Sequence, residues 1–284
     1  METTEALLAE LEPGSHPDLS TDVWLRADRD ARYLVRIYAT ALGRRSRPVL
    51  THLSAARVWG LPILGPWPRT VHLHGGRRDL AEAPGITWHR EYLSDADITE
   101  VGGLLATTRL RTMVDLARTQ PFRSAVISLD AGLQPRFVLP PGTLAPAVSR
   151  DRLLERVLGL GAERGAARAR MAARFADPRS GSRGQSLSRA SMYLARVPLP
   201  ELGAACPHAD GEDQVDFRWD ARFHVKRRTL LGEFDCEVSR PGDRLREARL
   251  QASGRILARW RWADALHPGR LRDLLEGAGL RSER

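Results

Sequence analysis

The chain has 284 residues, 42% hydrophobic and 28% charged, with a formal net charge of +9. At about 100–200 residues per domain this length predicts two domains, and the apolar fraction excludes wholesale disorder. No apolar run approaches the roughly 18 residues of a membrane helix. Two cysteines, Cys206 and Cys236, outside any Cys-x-x-Cys pair, exclude a disulfide scaffold or a cysteine zinc site.

Met1–Pro13 is acidic and shows neither region of a secretory signal, so a reducing cytoplasm is the expected compartment. Residues 1–20 predict a short helix and a loop. From 31 to 42, Leu34, Val35, Tyr38 and Leu42 form a helical stripe, with Arg32 and Arg36 outside it. A second helix is expected over 52–59, with Leu53, Ala56 and Trp59 inward. Pro62, Pro66 and Pro68 then forbid helix. Residues 70–74 and 86–90 read as strands, with Gly75-Gly76 opening the turn region between them. Thr107 or Thr108 can cap a helix running to Arg118, and another follows Pro121. Pro135, Pro140, Pro141 and Pro146 mark a linker. A basic helical segment over 151–176 and a Gly/Ser loop at 180–184 come next. Beyond the loop we expect helix (185–196), strand (214–219), strand (229–235), helix (243–253), strand (255–260) and helix (268–279). The chain thus predicts an α/β fold, with an α+β N-terminal region and a mixed C-terminal sheet flanked by helices.

Charge is unevenly spread. Residues 1–149 hold 17 basic and 16 acidic side chains, and residues 150–284 hold 27 and 19. A basic block of this kind suits a phosphate backbone. Yet Lys226 is the only lysine among 44 cations, an arginine bias that also reads as plain composition.

Several motifs fail on inspection. Gly159-Leu-Gly161 with Gly165 has the wrong spacing for a dinucleotide loop and follows no strand, no Walker lysine is present, and no Gly-x-Ser-x-Gly elbow occurs. His72 and His74 share one strand face, and His89 on a neighbouring strand would complete three imidazoles of zinc-binding type. Histidines on a half-buried strand are far commoner without an ion.

The chemistry concentrates in Gln214-Val-Asp216-Phe-Arg-Trp219 and Leu230-Leu-Gly-Glu233-Phe-Asp235. Alternation turns Val215, Phe217 and Trp219 one way and Asp216 the other. Glu233 and Asp235, two apart, share a face. Pairing these strands would gather three carboxylates on one sheet surface. Such a cluster repels itself unless a cation neutralises it, and Mg²⁺ suits hard oxygens together with phosphate. A bound metal of this kind could activate water for phosphodiester hydrolysis. The alternative is a solvated face on which the acids pair with Arg218, Arg222 or Arg240.

These segments resemble the PD-(D/E)XK superfamily, in the branch related to very-short-patch-repair endonucleases. The matching residues are Gly184-Gln185-Ser186, Val215-Asp216-Phe217-Arg218-Trp219, Glu233-Phe234-Asp235-Cys236, Arg246-Glu247 and Arg259-Trp260-Arg261-Trp262, covering about 180–280. The resemblance implies a restriction-endonuclease-like domain and a Mg²⁺- or Mn²⁺-dependent DNA endonuclease. Asp216, Glu233 and Asp235 would hold the metal, Gln185 would orient its water, and Arg240 would contact phosphate. Three positions depart from the family pattern: Gln185 replaces a glutamate, Cys236 a glycine and Ser239 a lysine. Arginine at 240 can stabilise charge but is a poor proton acceptor.

The first half is similar to AbiEi-like antitoxins of type IV toxin–antitoxin systems. The similarity rests on Ser54-Ala55-Ala56-Arg-Val-Trp59-Gly60-Leu61-Pro62 and on Arg111-Thr112-Met-Val114-Asp115-Leu116-Ala117. That likeness implies an operator-binding winged helix, here truncated, and a toxin-like partner. Read from the residues themselves, Ala55, Ala56, Trp59 and Leu61 are core packing and Arg111 with Asp115 is an i,i+4 pair. The domains expected are 1–135 (antitoxin-like), 136–179 (linker and basic helical segment) and 180–284 (nuclease-like). Two functions follow from these likenesses: a metal-dependent nuclease or its degenerate relative, linked to mobile-element or phage defence, and a non-catalytic antitoxin-like regulator that binds DNA or a partner protein.

Overall fold

A computed structural model describes residues 28–75, 85–139, 142–208, 211–235, 249–250 and 254–281. The fold is α/β with a mixed C-terminal sheet. The chain divides into two compact units, Met1–Ala176 and Asp177–Arg284. No helix among the described residues is long and apolar enough to cross a membrane.

In the first unit, helix α1 (Arg29–Leu42) begins where the Asp28 carboxylate accepts a bond from the Ala31 amide at 2.7 Å. It buries Ala31, Leu34, Val35 and Ile37. Helix α2 (His52–Trp59) ends at Gly60, whose φ of +75° is the left-handed cap that glycine adopts without strain. Strand β1 (Val71–His74) pairs with β2 (Ile86–His89) in parallel, in the register His74↔His89. Strands β3 (Ile98–Val101) and β4 (Leu104–Thr107) form a hairpin over Gly102-Gly103, which have φ of +56° and +76°. Two left-handed residues in a two-residue loop match the twist of the flanking strands. This hairpin was not expected from periodicity. Leu50 bridges Leu73 of β1 and Ala106 of β4, so one buried residue ties the two ladders together.

Helix α3 (Arg109–Thr119) starts at Thr108, whose hydroxyl accepts from the Arg111 amide. Helix α4 (Phe122–Gly132), a short hairpin β5/β6 (Val138–Leu139, Thr143–Leu144), α5 (Arg150–Leu158) and α6 (Ala166–Phe175) follow. Leu153, Val157, Ala169, Ala172 and Ala173 share one core with Leu50, Ala55, Trp59, Met113 and Leu116. The basic segment therefore packs as two amphipathic helices within the first unit, and its arginines lie outside that core.

In the second unit, helix α7 (Arg183–Leu194) precedes strands β7 (Glu201–His208), β8 (Gly211–Trp219), β9 (Leu230–Phe234) and β10 (Ile256–Trp260). Short helix α8 (Trp262–Ala265) and helix α9 (Pro268–Gly277) complete it. The strand order is β10-β9-β8-β7; β10 runs parallel to β9 and the other pairs are antiparallel. Strand β7 was not expected. Of the helix expected over 243–253, only Arg249 and Leu250 are described, and both are helical.

The expected shared face of Val215 and Phe217 divides. Val215 packs with Ala204, Cys206, Leu231 and Leu250, whereas Phe217 stacks on Trp260 at 5.3 Å. Gly203, with φ +57°, lies between Leu202↔Phe217 and Ala204↔Val215, and the β7–β8 register is the same on both sides of it.

Gly232 sits beneath two buried indoles. A Cβ there would lie 2.6 Å from Trp260 Cη2 and 2.9 Å from Trp219 Cζ3. Gly232→Ala is expected to cost about 1–3 kcal/mol by overpacking. A urea midpoint equal to that of the parent chain would refute this packing.

Candidate functional site

The expected pairing of β8 with β9 forms, in antiparallel register. The β8–β9 register runs Trp219↔Leu230, Arg218↔Leu231 and Phe217↔Gly232, and Asp216 and Glu233 are the next residue on each strand. The β10–β9 register sets Arg259 beside Glu233. Each carboxylate, however, is held by protein donors. Gln185 Nε2 donates to Asp216 Oδ1 at 2.6 Å, and the Phe234 amide donates to Asp216 Oδ2 at 2.9 Å. Arg259 Nη2 donates to Glu233 Oε2 at 3.2 Å. Arg261 Nε lies 3.9 Å from Asp235 Oδ2, in a more exposed pair.

The Gln185 amide is oriented at both ends, because its Oε1 accepts from the Gly181 amide at 2.6 Å. Flipping it would lose both bonds. Asp216, Glu233 and Asp235 do not form a set of ligand atoms lying within 4.8 Å of one another. With an amide donor against Asp216 and a guanidinium against Glu233, the donor set does not fit Mg²⁺ or Mn²⁺, which needs converging oxygens. Among the described residues, the arginine beside Glu233 is Arg259 and the one beside Asp235 is Arg261. Arg218 pairs instead with Glu201, and Arg222 lies 3.7 Å from Asp220. Arg240, with Cys236, Ser239, Arg246 and Glu247, lies outside the described residues.

The first unit contains a different cluster. Among the described residues, His52, His89 and Glu91 form the one group of three His, Cys, Asp or Glu whose ligand atoms lie within 4.8 Å of one another. The His52 and His89 rings stack, with centroids 3.6 Å apart. His72 Nδ1 is 2.9 Å from His89 Nε2. His74 stands opposite His89 in the register but outside this group. The expected face of His72, His74 and His89 thus forms, and its closest partner is His52, delivered by the start of α2. That contact depends on Leu50 crossing between β1 and β4, which no local pattern announces.

Burial pushes His52 down to about 2, with the His89 and His72 imidazoles adding to the shift. Burial and His89 push His72 to about 4. His89 is lowered by burial and partly restored by Glu91. Beside the cluster, Arg111 donates to Asp115 Oδ1 at 3.0 Å, to Asp97 Oδ2 at 3.3 Å and to the Tyr92 carbonyl at 3.0 Å. Arg111 and Asp115 are therefore the expected i,i+4 pair, but buried. Ala55, Ala56, Trp59 and Leu61 are core, and the Trp59 indole donates to the Thr107 carbonyl at 2.8 Å.

No protein-family model, no curated protein and no solved structure matches this chain.

The folded His52 imidazole titrates far below its unfolded value of 6.5. Its contribution to stability is thus complete above pH 6.5 and lost as pH falls, by about 1.4 kcal/mol per pH unit below that point. Urea midpoints measured with a chelator should fall from pH 7 to 5, and His52→Gln should flatten the fall. A parent chain equally stable at both pH values would contradict the buried neutral cluster.

Proposed function

We propose that this chain is a non-catalytic, nucleic-acid-binding protein whose second unit carries a nuclease-type sheet without a working metal centre. The observation that carries this reading is the Gln185–Asp216 hydrogen bond of 2.6 Å. At the position where the resemblance calls for an acidic ligand, an amide donates to the acid that would be its partner. An arginine against Glu233 adds to the same effect. Binding to DNA is supported by the net charge of +9 and by the excess of 27 basic over 19 acidic side chains in residues 150–284. The likeness to AbiEi-type antitoxins adds a regulatory role with a toxin-like protein partner.

The competing reading, Mg²⁺-dependent DNA cleavage in mobile-element or phage defence, draws on the pairing of β8 with β9, in which the Asp216 carboxylate accepts from the amide of Phe234, the residue after Glu233. The two readings separate experimentally. The purified chain should bind duplex DNA with an affinity that falls steeply with salt, and should leave plasmid and mismatched duplex uncut with Mg²⁺ or Mn²⁺. Glu233→Ala should leave that binding intact. Cleavage that disappears in Glu233→Ala would overturn the proposal in favour of the nuclease, and salt-independent binding would remove its nucleic-acid half.

Gln185→Glu provides a sharper test. It replaces the donor by a like charge beside Asp216 and should cost about 1–3 kcal/mol in metal-free buffer. Part of that loss should return on adding Mn²⁺, which gains a fourth carboxylate. A variant as stable as the parent without metal would show that the amide contributes nothing to holding Asp216.

A further inference from the structure

We propose that His52, His89 and Glu91 bind one divalent transition-metal ion of the zinc class, with His72 as the positioning residue behind His89. The proposal concerns the first unit and does not rest on the nucleic-acid reading. Two imidazoles and one carboxylate are a donor set of catalytic-zinc type, which leaves the fourth tetrahedral position to water or another ligand. One ligand atom from each of the three residues already lies within 4.8 Å of the others.

The hydrogen bonds select which nitrogens are available. His89 Nε2 faces His72 Nδ1 at 2.9 Å, while His89 Nδ1 is 3.9 Å from Glu91 Oε2. With an ion held on Nδ1, the ring proton of His89 would sit on Nε2 and be donated to His72 Nδ1. His52 Nδ1 is 3.2 Å from the Thr51 hydroxyl, which leaves Nε2 for an ion. A ligating histidine whose second nitrogen donates to a fixed acceptor is oriented and made more basic. Glu91 Oε2 is buried and makes no hydrogen bond. An ion would give this oxygen the positive partner it lacks. The His52 and His89 rings stack with centroids 3.6 Å apart and an interplanar angle of 17°, so sharing one ion requires the rings to rotate until their in-plane lone pairs converge.

Nearby charge does not prevent binding. Arg111 is taken up by Asp97 and Asp115, and Arg118 pairs with Glu163 at 3.2 Å. Glu91 also lines a cavity of about 630 Å³, together with Arg111, Arg118, Arg152 and Arg156.

The test uses the full chain, stripped with chelator and titrated with Co²⁺, with Zn²⁺ counted by elemental analysis after dialysis. One ion per chain is expected, with visible cobalt bands of tetrahedral nitrogen–oxygen ligation. His52→Gln and Glu91→Gln should each lose the ion. His72→Phe should weaken binding by about 10–100-fold and shift the cobalt bands, and His72→Gln, which keeps an acceptor, should restore much of the affinity. His74→Ala should bind as the parent does. Should His52→Gln fail to fold by circular dichroism, Glu91→Gln decides alone, since its side chain is 37% exposed and tolerates the change. No bound ion, unaltered binding in Glu91→Gln, or a thiolate-to-cobalt band placing the ion on cysteine would each overturn the proposal.

Discussion

The second unit depends on how closely helix α7 can approach strand β9. Gly184 makes that approach possible: a Cβ there would come within 2.1 Å of the Phe234 ring. With the ring against the helix backbone, the next residue, Gln185, reaches Asp216 across the gap. The Trp260 indole donates to Ser188 Oγ one turn further along, and Ser191 Oγ donates to the Ala265 carbonyl. The helix is thus fixed by a missing side chain and two hydroxyls. A larger residue at 184 would move Gln185 away from Asp216 and alter the site without touching any of its polar atoms. Packing and site chemistry are one constraint here.

The same economy governs the acids. Clustered carboxylates need positive charge or donors nearby, and this chain supplies them from its own residues: a side-chain amide, a main-chain amide and two arginines. An internal donor is present at all times, whereas a metal ion must compete with it for the same lone pairs. The first unit shows the opposite balance. Arg111 and Arg118 beside its histidines already have carboxylate partners, and a buried Glu91 oxygen is left without a hydrogen bond. The sheet that looks like a metal site from its motifs is neutralised from within, and the histidine face of the first unit is completed by His52 and Glu91, which the strand pattern alone does not supply.

Much of the architecture was legible in the chain. The helices over 29–42, 52–59 and 109–119 follow from apolar spacing, Gly60 and the Thr108 cap, which are local features. The pairing of β8 with β9 follows from two alternating strands at a suitable separation. The parts that escaped depend on distant contacts or on sequences that break alternation. Strand β7 contains Gly203 and Pro207, both poor strand residues, and is held by its pairing with β8. The hairpin of β3 and β4 rests on a Gly-Gly pair flanked by strands of four residues, too short to show a period. The parallel pairing of β1 and β2 cannot be read from either strand.

The partners of the acids were partly legible too. Arginine pairing could be foreseen from the abundance of arginine, but which arginine could not. Arg259 faces Glu233 because β10 joins β9 in parallel with Ala258 beside Gly232, and that register follows from the glycine. Only a residue without a side chain leaves room beneath Trp219 and Trp260, so both indoles settle over position 232 and β10 is fixed along the strand. Once Ala258 is opposite Gly232, the next residue on each strand must meet, and those residues are Arg259 and Glu233. The charge pairing of the candidate site is therefore a consequence of aromatic packing on the sheet, one residue out of step with it.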